Sequence, residues 1–171
     1  MELFSERGFE ATTVADIAER AGLTKRTFFR YFTDKREVLF SGSATLEETF
    51  VKGVMDAPAD ATPLGAIAAG LDASAVIFEQ IPDRAQARQA LLAANPELQE
   101  RELIKLAKLA TAGAAALRNR GVGEPAAGLA GEAGMAVLRV AFSRWTADPH
   151  GQDLRQLLKE SLSELKSVAQ G

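Results

Sequence analysis

An all-α fold is what this sequence predicts, and three observations predict it. Apolar residues recur at three- and four-residue spacing in every long segment. Threonine, aspartate and proline stand at the starts of those segments, and glycine or proline at their ends. No alternating run of Val, Ile and Thr bounded by turns occurs in the 171 residues.

MELFSERG, residues 1–8, reads as the end of a helix, with Leu3 and Phe4 apolar and Gly8 its stop. Thr13-Val-Ala-Asp16 has the pattern of a capping box, in which a hydroxyl and an acid three residues on satisfy the free N–H groups of a helix start. Val14, Ile17, Ala18 and Ala21 then make one apolar face. Gly22 breaks the helix, since glycine alone turns left-handed without steric cost. Leu23 is expected to point inward, and Thr24 to cap a second helix from Lys25 to about Phe32. Two short helices joined by a glycine turn are a helix-turn-helix. Leu23, Phe28 and Phe32 form the inner set of the second helix, while Lys25, Arg26, Phe29 and Arg30 form a contiguous outer face. From Arg20 to Arg36 there are six basic residues and one acid, Asp34. Such a stripe in a chain of net charge −3 is the electrostatic footprint of phosphate binding. Lys25, Arg26 and Thr27 are expected to meet base edges or nearby phosphates.

Asp34 to Glu37 starts a connector helix that runs to about Met55, with Leu39, Leu46, Phe50 and Val54 on a narrow seam. DAPADATP, residues 56–63, is the clearest loop. Thr62 and Pro63 open the next helix, whose face is Leu64, Ile67, Leu71, Ala75 and Phe78. Pro82 ends it and opens another, to Ala94; Asn95-Pro96 terminates that one, because the residue before proline avoids the α region. A long helix runs from Glu97 to Asn119, closed by Gly121-Val-Gly123. Residues of about 125–147 carry few charges and must be covered on nearly all sides, with Gly128, Gly131 and Gly134 allowing another helix close. Residues 153–168 place Leu154, Leu157, Leu158, Leu162, Leu165 and Val168 on one face. These last two helices are the candidate pair for a homodimeric four-helix bundle. The division expected is a DNA-binding domain over residues 1–40 and a helical regulatory and dimerisation domain over 41–171.

Composition narrows the function classes. The chain is 47% hydrophobic and 25% charged, ordinary for a globular protein. It has no apolar run long enough for a membrane span, no visible signal peptide and no cysteine. Disulfides, thiolate metal sites and cysteine nucleophiles are thereby excluded, and a cytoplasmic location is expected. His150 is the single histidine, too little for a zinc site, and reads as a loop residue with Asp148 nearby to orient it. No nucleophile pattern or phosphate loop accompanies it, so neither an enzyme, a metal nor a cofactor is expected.

Gly8-Phe9-Glu10, Thr12-Thr13, Ile17-Ala18, Ala21-Gly22-Leu23-Thr24, Thr27-Phe28-Phe29-Arg30-Tyr31-Phe32 and Lys35-Arg36-Glu37-Val38-Leu39 resemble the N-terminal domain of the TetR/AcrR family of transcriptional regulators. The resemblance covers roughly Leu3 to Phe40. It implies an all-helical homodimer that binds a palindromic operator on double-stranded DNA and whose second domain takes a small molecule that alters operator affinity. By the same resemblance Thr13, Thr24, Tyr31 and Lys35 match positions that hold the phosphate backbone. Phe29 stands where the family usually has tyrosine, and is expected against sugar or a thymine methyl. Arg30 is either a phosphate contact or a free surface charge. The first helix is two to three turns shorter than the family's, which suggests a late start or a truncation.

For the regulatory pocket the candidates are the large apolar residues Phe78, Leu91, Leu106, Met135, Leu138, Phe142 and Trp145, with ordinary core as the alternative for each. Arg139, a cation in the most apolar helix, is expected to be paired, with Glu132 or with an anionic ligand. Asn95-Pro96-Glu97-Leu98-Gln99 through to Trp145 is similar to a subgroup whose ligands are acyl thioesters, which implies a hydrophobic effector with an acidic or acyl head group. Two alternatives stand beside the ligand-responsive repressor: a DNA-binding dimer with no small-molecule ligand, and a helical ligand-binding protein with weakened DNA binding.

Overall fold

The capping residues picked out along the chain do start the helices they precede. A computed structural model describes residues 2–148 and 150–170. Met1 and Pro149, read above as part of the first helix and of the loop around His150, lie outside the described residues, as does Gly171. Nine α-helices and no strand occur among the described residues: α1 Glu2–Arg7, α2 Val14–Arg20, α3 Lys25–Tyr31, α4 Ser43–Met55, α5 Pro63–Glu79, α6 Pro82–Ala94, α7 Pro96–Asn119, α8 Ala126–Ala147 and α9 Leu154–Gln170. No single helix among them is long and apolar enough to cross a membrane.

The connector divides where the apolar seam predicts one continuous helix. Asp34 does cap a start, accepting from the N–H groups of Arg36 at 2.8 Å and Glu37 at 3.2 Å. That start opens a 3-10 helix, Lys35–Phe40, and α4 begins only after Gly42. The Ser43 hydroxyl donates to the Phe40 carbonyl at 2.7 Å, satisfying a group that a continuous helix would have bonded through its backbone.

α5 is the central helix, packed against α4, α8 and α9. Ala66, Ile67, Leu71 and Ala75 are buried along it, and it carries two charges, Asp72 and Glu79. Close approach depends on missing side chains. A Cβ on Gly70 would stand 2.6 Å from the Phe50 carbonyl of α4. Gly131 and Gly134 serve the same purpose within the subunit, where Cβ atoms would collide with the Ala110 carbonyl of α7 and the Ile67 side chain of α5. Phe50, Val54, Ile67, Leu117, Trp145 and Leu154 fill the main core.

A second, smaller core lies beside the helix-turn-helix. Phe4, Phe9, Leu39 and Phe40 pack with Leu92 of α6 and Leu98 of α7, and Ile17 and Leu91 lie against them. Ion pairs surround it. Arg36 joins Asp34 at 2.8 Å and Glu97 at 3.1 Å, Arg101 joins Glu37, and Arg88 joins Glu102 at 2.6 Å while donating to the Leu39 carbonyl. Residues on both sides of position 40 therefore share one apolar cluster and one charge network.

Candidate nucleic-acid interface

The turn between α2 and α3 is built from local chemistry. Thr13 and Asp16 form both halves of the capping box: the Asp16 N–H donates to the Thr13 hydroxyl at 3.2 Å, and the Thr13 N–H to the Asp16 carboxylate at 2.8 Å. The Thr13 hydroxyl also donates to that carboxylate and holds it below its ordinary value. At the other end Gly22 has φ +66°. Its N–H reaches the Glu19 carbonyl at 3.0 Å and the Leu23 N–H reaches that of Ala18 at 2.8 Å, the paired bonds of a Schellman turn. Backbone bonds alone close this turn, and Leu23, expected inside, is 43% exposed. Thr24 then caps α3, accepting from the Thr27 N–H at 3.1 Å.

On α3, Phe28 is buried and stacks on Phe32 with ring centroids 5.2 Å apart, so the helix has one apolar anchor. The opposite face is open: Lys25, Arg26, Phe29, Arg30 and Tyr31 are all exposed. Phe29 and Tyr31, at 56% and 66%, display aromatic surface that the subunit does not use. The Arg30 guanidinium donates to the Tyr31 hydroxyl at 2.9 Å, which holds these two side chains together on the rim. Thr27 is half-buried, with its hydroxyl 3.0 Å from that of Thr24.

The six cations of the basic stripe divide into two groups. Arg20 is committed to Glu2 at 3.2 Å and Glu6 at 3.0 Å, two acids that precede the stripe in sequence; the pairing raises its pKa and lowers that of Glu6. Arg36 is committed to Asp34 and Glu97. Lys25, Arg26, Arg30 and Lys35 have no acid partner among the described residues. Lys35 is the unexpected one. Its ammonium donates to the Phe9 carbonyl at 2.7 Å and the Glu10 carbonyl at 3.2 Å, and sits 4.3 Å from the centre of the Phe9 ring. It ties the α1–α2 loop to the 3-10 helix. Beneath that loop the wholly buried Thr12 hydroxyl lies 2.7 Å from the Gly8 carbonyl. Neither set of contacts has a periodic signal in sequence, because the acceptors are all main-chain carbonyls.

The residues proposed for an effector pocket are not gathered around one space. Met135 and Trp145 are buried, and Phe78, Leu106, Leu138 and Phe142 pack against the main core. Phe142 meets Phe78 edge-on at 4.9 Å and Trp145 at 5.6 Å. The gap beside Phe78 and Leu138 is about 10 Å³, no more than one water. Leu91 belongs to the second core. Arg139 is exposed and makes no ion pair with Glu132, which is exposed too: α8 turns both to solvent, so the expected Arg139–Glu132 pair does not form. His150 pairs with Asp83 at 3.1 Å, and not with Asp148. No group of metal-binding side chains occurs among the described residues.

Known proteins give this arrangement its context. Residues 1–41 match the description "Bacterial regulatory proteins, tetR family", and residues 61–170 match the "MftR C-terminal domain". The HTH-type transcriptional regulator TcmR of Streptomyces glaucescens is 40% identical over 67 residues, 39% of this chain and 30% of that protein. The putative mycofactocin biosynthesis transcriptional regulator MftR of Mycobacterium tuberculosis is 32% identical over 100 residues, 58% of this chain and 50% of that protein. The chain thus spans half the length or less of these curated relatives. Thermus thermophilus FadR, a repressor solved with lauroyl-CoA, superposes with a TM-score of 0.60 at 25% identity, covering 96% of this chain and 88% of that one. The SmeT–triclosan complex superposes at 0.64 and 18% identity, covering 98% and 86%, and is a likeness of fold. With profile matches over both the helix-turn-helix and most of the remaining helices, the chain belongs to the TetR family of bacterial regulatory proteins.

Proposed function

We propose that this protein is a sequence-specific DNA-binding regulator, acting as a ligand-responsive homodimeric repressor in the cytoplasm. The observation that carries the reading is the outer face of α3, where Lys25, Arg26, Phe29, Arg30 and Tyr31 stand exposed with no acid among them. Lys25, Arg26 and Thr27 enter the major groove, and Phe29 lies against sugar or a thymine methyl. Thr13, Thr24, Tyr31 and Lys35 face the phosphates.

Dimerisation is supported by the outward stripe of α8. Leu129 and Val140 are 67% and 55% exposed and share it with Ala136 and Ala147, while Val168 near the end of α9 is 72% exposed. Two copies joined there read a palindromic operator with half-sites about 34 Å apart or a multiple of it. The effector acts through its differential affinity for DNA-competent and DNA-incompetent arrangements. The second core and its ion pairs, Arg36–Glu97 and Arg101–Glu37 among them, supply the physical link from α6 and α7 to the helix-turn-helix. FadR, the fold neighbour bound to lauroyl-CoA, supports a hydrophobic effector with an acyl or acidic end. A second reading, a DNA-binding dimer with no ligand, draws on the closed packing of Phe78, Phe142 and Trp145.

A mobility-shift titration with the upstream region of the protein's own gene, at stated salt, tests the DNA reading. A shift that Arg26→Ala weakens is expected; affinity equal to that for unrelated DNA overturns it. Sizing of Val140→Arg tests the dimer: a monomer is expected, and an unchanged dimer refutes the assigned face.

A further inference from the structure

A space much larger than the gap beside Phe78 and Leu138 lies between α5, α8 and α9. It is a cavity of about 270 Å³, walled by Leu64, Ile67, Leu71, Val137, Leu158 and Leu162. Its volume is about nine times the ~30 Å³ share of one liquid water. Walls this apolar offer water few partners, and such cavities take apolar guests. Two of its walls are in close contact: Ile67 of α5 rests where a Cβ on Gly134 of α8 would be.

Its mouth has a definite charge arrangement. Arg155 donates to Asp72 at 2.9 Å through Nε and through a second nitrogen, and its backbone N–H donates to Glu79 at 3.1 Å. Arg155 thereby neutralises the carboxylate that would repel an anion. Lys159, one turn along α9, lines the same opening, is exposed and makes no ion pair among the described residues. The neighbouring acid, Glu160, is engaged by Arg144 at 2.9 Å. A leucine-walled cleft with one uncommitted cation at its lip complements a molecule with a short alkyl chain and an anionic head.

We propose that this cleft is a binding site for a single-chain amphiphile with an anionic head group, its chain between α5, α8 and α9 and its head at Lys159. An effect on DNA rests on the ligand-responsive reading above; the binding does not, and it is measured without DNA.

Isothermal titration of the intact chain with decanoate, decanol and decyltrimethylammonium, each below its micelle concentration, tests the site. Decanoate is expected to saturate at one per chain, decanol to bind more weakly, and the cation not to bind. Lys159→Glu removes an attraction and adds a repulsion at an exposed position, and should weaken decanoate about tenfold while leaving decanol unchanged. Ala68→Trp fills the cleft and should abolish both with helical circular dichroism retained; should it fail to fold, the exposed Lys159 variant decides alone. Decanoate that does not saturate, as when a second copy covers the cleft, overturns the proposal, and so does equal affinity in Lys159→Glu. Decanoate that binds as expected yet leaves the operator shift unchanged upholds the site and denies this cleft a part in ligand-responsive repression.

Discussion

Replacing Arg20 and Lys25 separately distinguishes cations that are merely present from cations free to meet a phosphate. In sequence they are equivalent, two of six basic residues within one short window. In the structure Arg20 lies within 3.2 Å of two carboxylates, Glu2 and Glu6, whereas Lys25 has no acid partner among the described residues and stands exposed on α3. A cation already neutralised displaces no DNA counterion; a free one meeting a phosphate does. Every phosphate that a variant no longer neutralises lowers the slope of log K against log salt by about 0.9, so Lys25→Ala should lower it by about 1.8 for a dimer on two half-sites. Between 50 and 200 mM salt that is about a twelvefold smaller loss of affinity than in the parent protein. Arg20→Gln should leave the slope unchanged. The measurement is operator affinity by fluorescence anisotropy at four or more salt concentrations. An Arg20→Gln slope as reduced as that of Lys25→Ala would show that the Arg20 pairs open on DNA, and the division of the stripe would be wrong.

Four other perturbations test separate links. Lys35→Met removes a charged donor from the Phe9 and Glu10 carbonyls and should lower stability by about 1.5–3 kcal/mol per hydrogen bond removed in thermal melts, in addition to reducing the salt slope. Phe50→Ala empties a position of 0% exposure at the α4–α5 crossing and should cost about 3–5 kcal/mol by urea unfolding. Asp16 has its pKa held below the ordinary 3.8 by the Thr13 hydroxyl; its contribution is complete above pH 3.8 and lost as pH falls through the lowered value. Asp16→Asn should therefore flatten the acid limb of stability below about pH 4, and an unchanged limb in acid titration by circular dichroism removes Asp16 from that account. Arg101→Ala paired with Glu37→Ala in a double-mutant cycle should show coupling of about 0.5 kcal/mol or more in unfolding free energy, and additivity would deny the charge network a part in joining α7 to the 3-10 helix.

The range of each interaction decides whether sequence could reveal it. Helix starts are legible because they are local: Thr13, Thr24, Asp34 and Thr62 each bond N–H groups two or three residues away, and Pro63, Pro82 and Pro96 each stand at a first helical position. The break after Phe40 is not, since the Leu39–Phe50–Val54 seam continues through it and only the Ser43–Phe40 bond marks it. Arg36–Glu97 and Arg155–Asp72 join residues 61 and 83 positions apart, and no pattern in one chain connects them. The cationic stripe is legible in position, but its free charge is overestimated from sequence, because Glu2 and Glu6 reach Arg20 from a helix outside the window. Gly131 and Gly134 signal a close helix approach, and only the fold shows that the neighbours are α7 and α5.

The cavity exposes a bias in searching a sequence for binding pockets. Large apolar side chains attract attention because they could line a space, yet the same size lets them fill it: Phe78, Phe142 and Trp145 close on one another, leaving about 10 Å³ beside Phe78 and Leu138. Space remains where side chains are small or branched short of contact. Ala68, Ala69 and Gly134 all line the 270 Å³ cleft, and none of the three would be chosen for hydrophobic bulk. Its charge pattern is equally hidden. Arg139, conspicuous in an apolar helix, turns to solvent, whereas Lys159, unremarkable in a strongly amphipathic helix, stands at the cleft's mouth. Lys159→Glu with decanoate and the matching Arg139→Glu variant put the two assignments in direct opposition. Weaker binding is expected only in the first, and weakening by Arg139→Glu alone would return the ligand to the face of α8.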